Sequence, residues 1–405
     1  MGLNLKNIPN HWELKKLRDV SKFSNGKGHE QTIDENGQYI VVNSKFISTD
    51  GQVSKFSNQN LSPLSFGDIT LVMSDIPNGK AIAKCFIIDK DNKYTLNQRI
   101  CSIQSNKDCN NKFLYYVINR NRYFLAFDNG VSQTNLRRDE VLDCPIPLPP
   151  LTEQNKIADI LSIIDDKIAI IDQQINHTRE LKKGLMQCLL TKGIGHTDFK
   201  DSSLGMIPQN WEVVEVGDTG NIVSGGTPKT ENLDYWDGEI NWITPTDVTA
   251  LKGKRFVYST KRKITELGLT NSAANLLPEN SLIICTRATI GDCVINKTKI
   301  STNQGFKSII PNVNFDVVFL YYSILNIKSK LLQLSSGSTF LELSTKAFKK
   351  IEILSPSIEE QKKIGVILSS VDEKIDVLVE KKLNYQELKQ GLMQQLLTGK
   401  IRVKV

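Results

Sequence analysis

The stretch PPLTEQNKIADILSIIDDKIAIIDQQINHTRELKKGLMQCLLTKGI, residues 149–194, returns later in the chain as PSIEEQKKIGVILSSVDEKIDVLVEKKLNYQELKQGLMQQLLTGKI, residues 356–401. The two copies align without a gap at a shift of 207 residues, and 22 of the 46 aligned positions are identical. Weaker similarity continues upstream, where IPNHWE at 8–13 corresponds to IPQNWE at 207–212. The chain is therefore a tandem duplication in which a divergent segment precedes a similar one in each half.

Apolar residues in both copies repeat at alternating steps of four and three, the pattern of helices that pack side by side. It predicts a helix over about residues 152–191, roughly 60 Å long, with no core of its own. We expect the two copies to form an antiparallel pair within one chain, and burial in an ordinary helical bundle is the alternative. The predicted partner-helix interface consists of Ile157, Leu161, Ile164, Ile168, Gly184, Leu185, Ile364, Leu368, Val371, Ile375, Gly391 and Leu392.

Both copies end in GLMQxLLT, which places Gly184 and Gly391 inside the predicted helices. Glycine in a helix costs about 1 kcal/mol relative to alanine. Its recurrence therefore predicts that another helix or another chain comes close at this point.

The composition indicates a globular protein of two or three domains, with 405 residues, 40% of them apolar and 23% charged. The chain has no run of about 18 apolar residues and no secretory pattern at its start, so a cytoplasmic location without membrane contact is expected. Seven scattered cysteines without a CxxC spacing argue against a disulfide framework and against a zinc site. The net charge of +7 is compatible with nucleic acid but is weak support by itself.

The divergent segments, residues 1–145 and 205–353, contain short β-branched runs bounded by turn residues, such as DITLVM at 68–73 and SLIICT at 281–286. Each segment ends in a helical FLYY stretch. The predicted fold class is α+β, with two α/β globules separated and joined by a long antiparallel helical pair in a pseudo-twofold tandem duplication. The predicted domains are 1–150, 151–200, 201–355 and 356–405, in the order globule, helix, globule, helix.

Polar loops in both globules carry side chains suited to base edges and phosphates. Arginine can contact guanine in two places, asparagine and glutamine can do so at adenine, and serine, threonine and lysine reach phosphates. For any single residue, a solvated loop is the alternative. The candidate DNA-binding residues are Ser24, Asn25, Lys27, Ser74, Lys80, Gln98, Arg99, Gln133, Asn135, Arg137, Thr227, Lys229, Trp236, Thr246, Arg287, Gln304, Ser338 and Thr339.

No catalytic motif is recognisable in the sequence. PNGK at 77–80 lacks the first glycine of a P-loop and the serine or threonine that follows its lysine. The four histidines show no metal-ligand spacing, and GxSxG is absent. The acidic pair Asp165-Asp166 lies in a predicted helix beside Lys167, where ion pairing on the helix surface explains it better than catalysis. We therefore expect no catalytic, cofactor-binding or metal-binding residues in this chain.

The ordered set of motifs resembles the specificity (S) subunit of type I restriction–modification systems over nearly the whole chain. The most specific marks are the two IPxxWE openings, SGGTPKT…YWDGEINWITPTD at 224–247, TNQGFKSI at 302–309, and PxxEEQKKI ending in GLMQxLLTGKI. The first globule departs most, because no GGTP stretch follows its opening and NQR replaces NQG at 97–99.

The resemblance implies a non-catalytic subunit whose two target recognition domains each read one half of a split, asymmetric sequence in double-stranded DNA. The helices would set the unread gap and dock two modification subunits, which bind S-adenosylmethionine and flip an adenine for N6 methylation. Two restriction subunits with ATP- and Mg²⁺-dependent activity would join them. Inserting residues near 190–196 is then expected to change the gap without changing either half-site.

Two alternatives remain at this stage. One is a coiled-coil assembly or scaffold protein that uses its globules for protein contacts and has no DNA role. The other is a recognition piece split from a single-chain restriction–methylation enzyme, whose separate catalytic chain would contact one helix copy. Sequence-selective DNA binding distinguishes the first of these from a specificity subunit.

Overall fold

The chain folds into two compact units in a computed structural model that describes residues 8–76, 79–335 and 342–404. Unit 1 comprises Met1–Gln173 with Glu380–Val405, and unit 2 comprises Gln174–Val379. Each unit therefore combines one divergent segment with parts of both repeated segments. We call the part of unit 1 before residue 151 the first globule, and the part of unit 2 between residues 198 and 356 the second globule.

The first globule contains short strands and helices that alternate along the chain. Its strands are β1 (Glu13–Lys16), β2 (Ser21–Asn25), β3 (Tyr39–Val42), β4 (Phe56–Ser57), β5 (Ile69–Val72), β6 (Ser74–Asp75), β7 (Cys85–Ile87), β8 (Tyr94–Leu96), β9 (Ile100–Ser105), β10 (Thr134–Asn135) and β11 (Pro145–Leu148). Its helices are α1 (Leu17–Val20), α2 (Ser44–Ser48), α3 (Asn111–Ile118), α4 (Arg122–Leu125) and α5 (Arg138–Leu142). Four of the strands form an antiparallel sheet in the order β2-β9-β5-β7, and three form a smaller sheet in the order β4-β3-β8.

The long helix α6 (Leu151–Leu189) follows the first globule, and the second globule comes next. Its strands are β12 (Phe199–Ser202), β13 (Gly205–Pro208), β14 (Glu212–Glu215), β15 (Gly220–Ser224), β16 (Trp236–Ile243), β17 (Phe256–Val257), β18 (Arg262–Ile264), β19 (Leu276–Leu277), β20 (Leu282–Cys285), β21 (Cys293–Asn296), β22 (Ile300–Thr302), β23 (Phe306–Pro311) and β24 (Glu352–Ser355). Its helices are α7 (Pro245–Ala250), α8 (Glu266–Thr270), α9 (Val317–Asn326), α10 (Lys328–Gln333) and α11 (Thr345–Lys349), and the long helix α12 (Ile358–Leu396) follows.

The two main sheets of each globule correspond in strand order, apart from the edge strands β17 and β19, which only the sheets of the second globule contain among the described residues. The order β15-β23-β20-β21 repeats β2-β9-β5-β7, and β18-β16-β22 repeats β4-β3-β8, including the parallel pairing of the last two strands. The pair β14-β24 likewise repeats β1-β11, which brings the start and the end of each globule together. The predicted α+β class and the tandem duplication are confirmed.

The strands at the centre of each globule form because their sequences are apolar on both faces. Ile69–Val72 is fully buried and so is Leu282–Cys285, as expected for strands covered on two sides. The FLYY helices α3 and α9 start where Asn110 and Asp316 accept hydrogen bonds from backbone N–H groups of the first turn.

The long helices agree closely with the helix predicted from the heptad pattern. Within unit 1, Asp165 pairs with Lys389 at 2.5 Å and Asp172 pairs with Lys382 at 2.6 Å. The two ion pairs step by seven residues in opposite directions, so the helix segments of this unit run antiparallel, as predicted.

The apolar seam contacts the globules as well as the partner helix. In unit 1, Ile157 and Leu161 join the core of the first globule together with Leu396, the last residue of α12, and Leu397, which follows it. In unit 2, Ile364 and Leu368 join the core of the second globule together with Leu189 and Leu190. Of the other predicted interface residues, Ile164 is buried, Leu185 and Leu392 pack partly buried against these cores, and Ile168, Val371 and Ile375 are half-buried.

The two helix glycines lie in open surroundings. A Cβ added to Gly184 or to Gly391 would meet no atom of the described residues within 4 Å. The described part of this chain therefore does not supply the close approach that the recurrent glycine predicts, and an approach by another chain remains a prediction.

Candidate nucleic-acid interface

Two loops cross at the same place in each globule. The loop after β2 passes over the turn between β8 and β9, where a Cβ on Gly26 would collide with the carbonyl of Asn97. The loop after β15 passes over the turn between β22 and β23, where a Cβ on Gly225 would collide with the carbonyl of Asn303. Glycine is required at both crossings because only a residue without a side chain fits. The crossings bring together loops that carry candidate DNA-binding residues.

Polar side chains line this crossing in both globules. Gln98 donates a hydrogen bond to Glu30 at 3.0 Å in the first globule, and Lys27 lies alongside Asn97 in a short parallel bridge. In the second globule, Thr227 donates to Gln304. Four predicted residues (Lys27, Gln98, Thr227 and Gln304) are thus placed at equivalent crossings.

A third segment joins the crossing in the first globule. The backbone N–H of Met73 donates to the carbonyl of Arg99, and the N–H of Leu136 donates to the carbonyl of Met73. These two backbone hydrogen bonds form what we call the frame of the corner. Next to them, the Ser74 hydroxyl donates to Asn135 at 2.7 Å, and the Gln133 amide donates to the Ser74 hydroxyl at 2.7 Å. We call Ser74, Arg99, Gln133 and Asn135 the first corner.

The second globule builds the same frame with different side chains. The N–H of Thr286 donates to the carbonyl of Gly305, and the N–H of Leu343 donates to the carbonyl of Thr286. Arg287 and Glu342 face each other in a backbone bridge, and their side chains form an ion pair at 2.6 Å. We call Arg287, Gly305, Lys307 and Glu342 the second corner.

The remaining candidates are spread over the globules. Ser24 and Asn25 are exposed on β2, Lys80 is exposed between β6 and β7, Arg137 precedes α5, Lys229 is exposed in the loop after β15, and Thr246 is exposed in α7. Arg137 lines one surface cavity together with Gln133 and Asn135 of the first corner. No hydrogen bond or ion pair of the described residues joins the other five to either corner. Ser338 and Thr339 lie outside the described residues.

Trp236 is a correction to the sequence-based list. Its ring is only 8% exposed, packs edge-on against Trp242, and donates through Nε1 to the carbonyl of Lys229. The Arg262 guanidinium covers the ring with its centre 3.9 Å from the ring centroid. Because Trp236 is buried and the Arg262 guanidinium lies over its ring, Trp236 has no free face on which a base could stack.

Sequence reasoning missed the contacts that fix each globule on the helices. In unit 1, the Tyr116 hydroxyl donates to Asp165 at 2.8 Å, and Lys389 lies over the Tyr116 ring. In unit 2, the Tyr322 hydroxyl donates to Asp372 at 2.6 Å. Burial, with these hydrogen bonds to carboxylates, raises the pKa of both phenols. The signal was present in the repeated FLYY and in the aspartates of the repeated helices.

A second anchor uses the IPxxWE motif. Glu153 is buried at the start of α6 and accepts a hydrogen bond from Nε1 of Trp12 at 3.2 Å. In unit 2, Glu360 accepts the same bond from Trp211 at 3.0 Å. The motif therefore attaches the residue before β1 to α6 and the residue before β14 to α12.

The described residues contain no group of three or more histidine, cysteine, aspartate or glutamate side chains that could hold a metal ion. Across the same ranges, no helix has the length and apolar character needed to cross a membrane.

Comparison with known proteins now decides the family. The family described as type I restriction modification DNA specificity domain matches this chain twice, over residues 9–178 and 208–388. The chain belongs to this family. Both matches join one divergent segment to the long helix that follows it, in agreement with the duplication found in the sequence.

Curated relatives extend over the full length. The putative type I restriction enzyme MjaX specificity subunit of Methanocaldococcus jannaschii is 31% identical over 98% of this chain and 95% of its own length. The EcoR124I/EcoR124II specificity subunit of Escherichia coli is 28% identical over 64% of this chain and 63% of its own length. The fold is similar to the crystal structure of a type I system S subunit from M. genitalium, with a TM-score of 0.61, 17% identity and 98% coverage of both chains.

Membership of this family confirms the prediction of a type I DNA-specificity function and of a specificity subunit rather than a catalytic one. None of these similarities supports the scaffold alternative.

Proposed function

We propose that the two globules of this chain bind double-stranded DNA and each read one half of a bipartite, asymmetric target. The observation that carries this proposal is the pair of corners, which share one backbone frame and differ in chemistry. The first corner presents hydroxyl and amide groups beside Arg99, and the second presents the Arg287–Glu342 ion pair. One scaffold with two sets of side chains is what recognition of two different half-sites requires.

Recognition in this proposal combines two contributions. Lysine and arginine on the globules would contact phosphates, so the affinity would fall as the salt concentration rises. The corner side chains would discriminate between bases, at about 1–3 kcal/mol for each good bidentate pair.

We further propose that the long helices set the gap between the half-sites and dock two modification subunits. In support, each unit exposes apolar helix residues at equivalent positions of the repeat. Unit 1 exposes Ile170 and Leu388, and unit 2 exposes their equivalents Val377 and Leu181. Leu388 and Leu181 each lie three residues before an open glycine, Gly391 and Gly184. Exposed apolar residues that recur in both copies favour the same partner binding twice.

The catalytic chemistry would come from those partners, in the cytoplasm. The modification subunits would bind S-adenosylmethionine and methylate adenine N6, and two restriction subunits would use ATP and Mg²⁺. This chain would direct either methylation or restriction by choosing the DNA site.

Single-molecule methylome sequencing tests the proposal in a host without adenine methylation. The neighbouring methyltransferase is expressed with this chain and, in a second culture, without it. A split motif methylated on both strands only in the presence of this chain is the expected result. Absence of any motif despite co-purification of the two proteins would overturn the DNA-reading role.

A further inference from the structure

The second corner contains more positive charge than its one ion pair balances. Glu342 contacts Arg287 at 2.6 Å, and Lys307 lies close enough that the carboxylate also influences its ammonium. The side-chain ammonium of Lys307 forms no hydrogen bond or ion pair with any residue that the structure describes. Two cations therefore share one carboxylate, which leaves the corner with a net positive charge.

Lys307 is held in the sheet and is poorly placed to reach a ligand by itself. It lies on β23 between β15 and β20 and is 7% exposed. Burial lowers the pKa of its ammonium, Glu342 counteracts that effect, and Arg287 adds to it. Its role in the corner is thus to strengthen the positive potential around Arg287.

Arg287, in contrast, reaches solvent. Its side chain is 42% exposed and that of Glu342 is 36% exposed. A single guanidinium nitrogen, Nη2, donates to Oε2 of Glu342, and the other N–H groups donate to no described residue. The guanidinium is therefore held from one side, and the rest of its planar fork has no partner among the residues that the structure describes.

The first corner lacks this arrangement on the same frame. The backbone hydrogen bonds of Met73 and Leu136 match those of Thr286 and Leu343, which makes Ser74 the counterpart of Arg287 and Asn135 the counterpart of Glu342. Both counterparts are neutral and bond to each other. The corner is thus a position where the globules differ in the chemistry they present to a base.

We propose that Arg287 is a specificity-determining residue that reads the edge of a guanine in the half-site of the second globule, and that Glu342 is its positioning residue. Guanine offers the acceptors O6 and N7 in the major groove, and arginine is the side chain that contacts both at once. Glu342 orients the guanidinium before DNA arrives, which reduces the rotamer freedom lost on binding. This inference rests on the proposed function and adds to it one residue, one base and one half-site.

Three variants test the proposal in the methylome assay with the full complex. Arg287→Gln is expected to relax one G·C position of a single half-site roughly ten- to a hundredfold, while the other half-site stays unchanged. Arg287→Lys keeps the charge but loses the fork, so it is expected to relax the same position. Glu342→Gln keeps the motif but lowers methylation at every site, because the guanidinium loses its anchor.

The matched control is Lys328→Gln. Lys328 pairs with Asp292 in the same globule, and these side chains are 42% and 35% exposed, nearly the same as in the corner. Its loss removes one charge and one ion pair away from the corner, and the motif is expected to stay intact. Each variant is also checked for its thermal unfolding midpoint and for co-purification with the methyltransferase.

The outcomes separate failure of this inference from failure of the proposed function. A wild-type chain that produces no motif contradicts the proposed function. A wild-type motif that persists unchanged in Arg287→Gln and Arg287→Lys overturns the inference alone. An equal loss at all sites in Arg287→Gln with wild-type behaviour in Arg287→Lys shows a phosphate contact and also overturns it.

Discussion

The Tyr322 hydroxyl lies between charged groups of both sign in unit 2. It donates to Asp372 at 2.6 Å and accepts from Arg255 at 2.7 Å, while Lys182 pairs with the same aspartate at 2.6 Å. One phenol thereby links α9 of the second globule to both long helices. The contact can be seen only in the folded chain, because its members are far apart in sequence.

Tyr322→Phe tests this link. Loss of the hydroxyl removes a donor to Asp372 and an acceptor for Arg255, so the free energy of unfolding is expected to fall by about 1–3 kcal/mol. Urea titration followed by circular dichroism measures it. Tyr258→Phe is the control, since Tyr258 is 63% exposed and its hydroxyl bonds to no described residue. Equal stability of the two variants would contradict the linking role.

Buried thiols make the stability depend on pH. Burial raises the pKa of Cys285 to about 11, from an ordinary value of 9.0. Because the unfolded chain loses this proton first, the free energy of unfolding is expected to decrease as the pH rises from about 9 to about 11 and to be unaffected below that range.

Cys285→Ala removes that contribution. Across this pH range, the free energy of unfolding is expected to fall by about 3 kcal/mol less in the variant than in the wild type. Denaturant titrations at pH 8, 9, 10 and 11 measure the difference. Cys188→Ala is the control for removal of a thiol, because Cys188 is exposed. The prediction fails if both variants give the wild-type slope.

At the scale of elements, the C-terminal end of each long helix is buried in the core of a globule. The GLMQxLLT segment of each contributes its last leucines to a globule core, Leu189 and Leu190 in unit 2 and Leu396 and Leu397 in unit 1. The heptad pattern predicts where each helix runs, because periodicity is local. It does not predict which globule buries the last turn, because that depends on residues about 200 positions away.

Leu189→Ala is expected to destabilise the protein. Leu189 is buried in the core of the second globule, so truncation leaves a cavity that costs about 2–5 kcal/mol. Leu181→Ala changes the same residue type two turns earlier at an exposed position, and a change below about 0.5 kcal/mol is expected. Urea unfolding of the full chain compares them, and similar losses in both would show that the helix end is not anchored.

At the scale of the whole molecule, the proposed spacer has a preferred site for lengthening. Residues 190–196 were the expected place, but there a Cβ on Gly193 would meet Trp211, and His196 contacts Glu360 at 2.8 Å. An insertion at that point would disturb the anchor of the second globule. The boundaries between the units, after Gln173 and after Val379, avoid these contacts.

Seven residues inserted at both boundaries add about 10.5 Å and two helical turns. This corresponds to about three base pairs at 3.4 Å each, so the methylome is expected to show both original half-sites with a gap about three pairs longer. An equal insertion after Gly253, where no described atom lies within 4 Å of the added Cβ, should leave the gap unchanged. An unaltered gap in the double insertion would contradict the spacer role.

The sequence by itself determined the duplication, the two long helices, the α+β class and the family, because periodicity and ordered motifs are properties of neighbouring residues. It also proposed loop residues as DNA contacts, without showing which of them lie together. Only the tertiary structure decided that Trp236 is buried beneath Arg262, that Ser74 and Arg287 occupy the same corner of the two globules, and that Glu342 anchors Arg287. These facts depend on how distant strands pair, and the free energy of that pairing comes from contacts that no local pattern records.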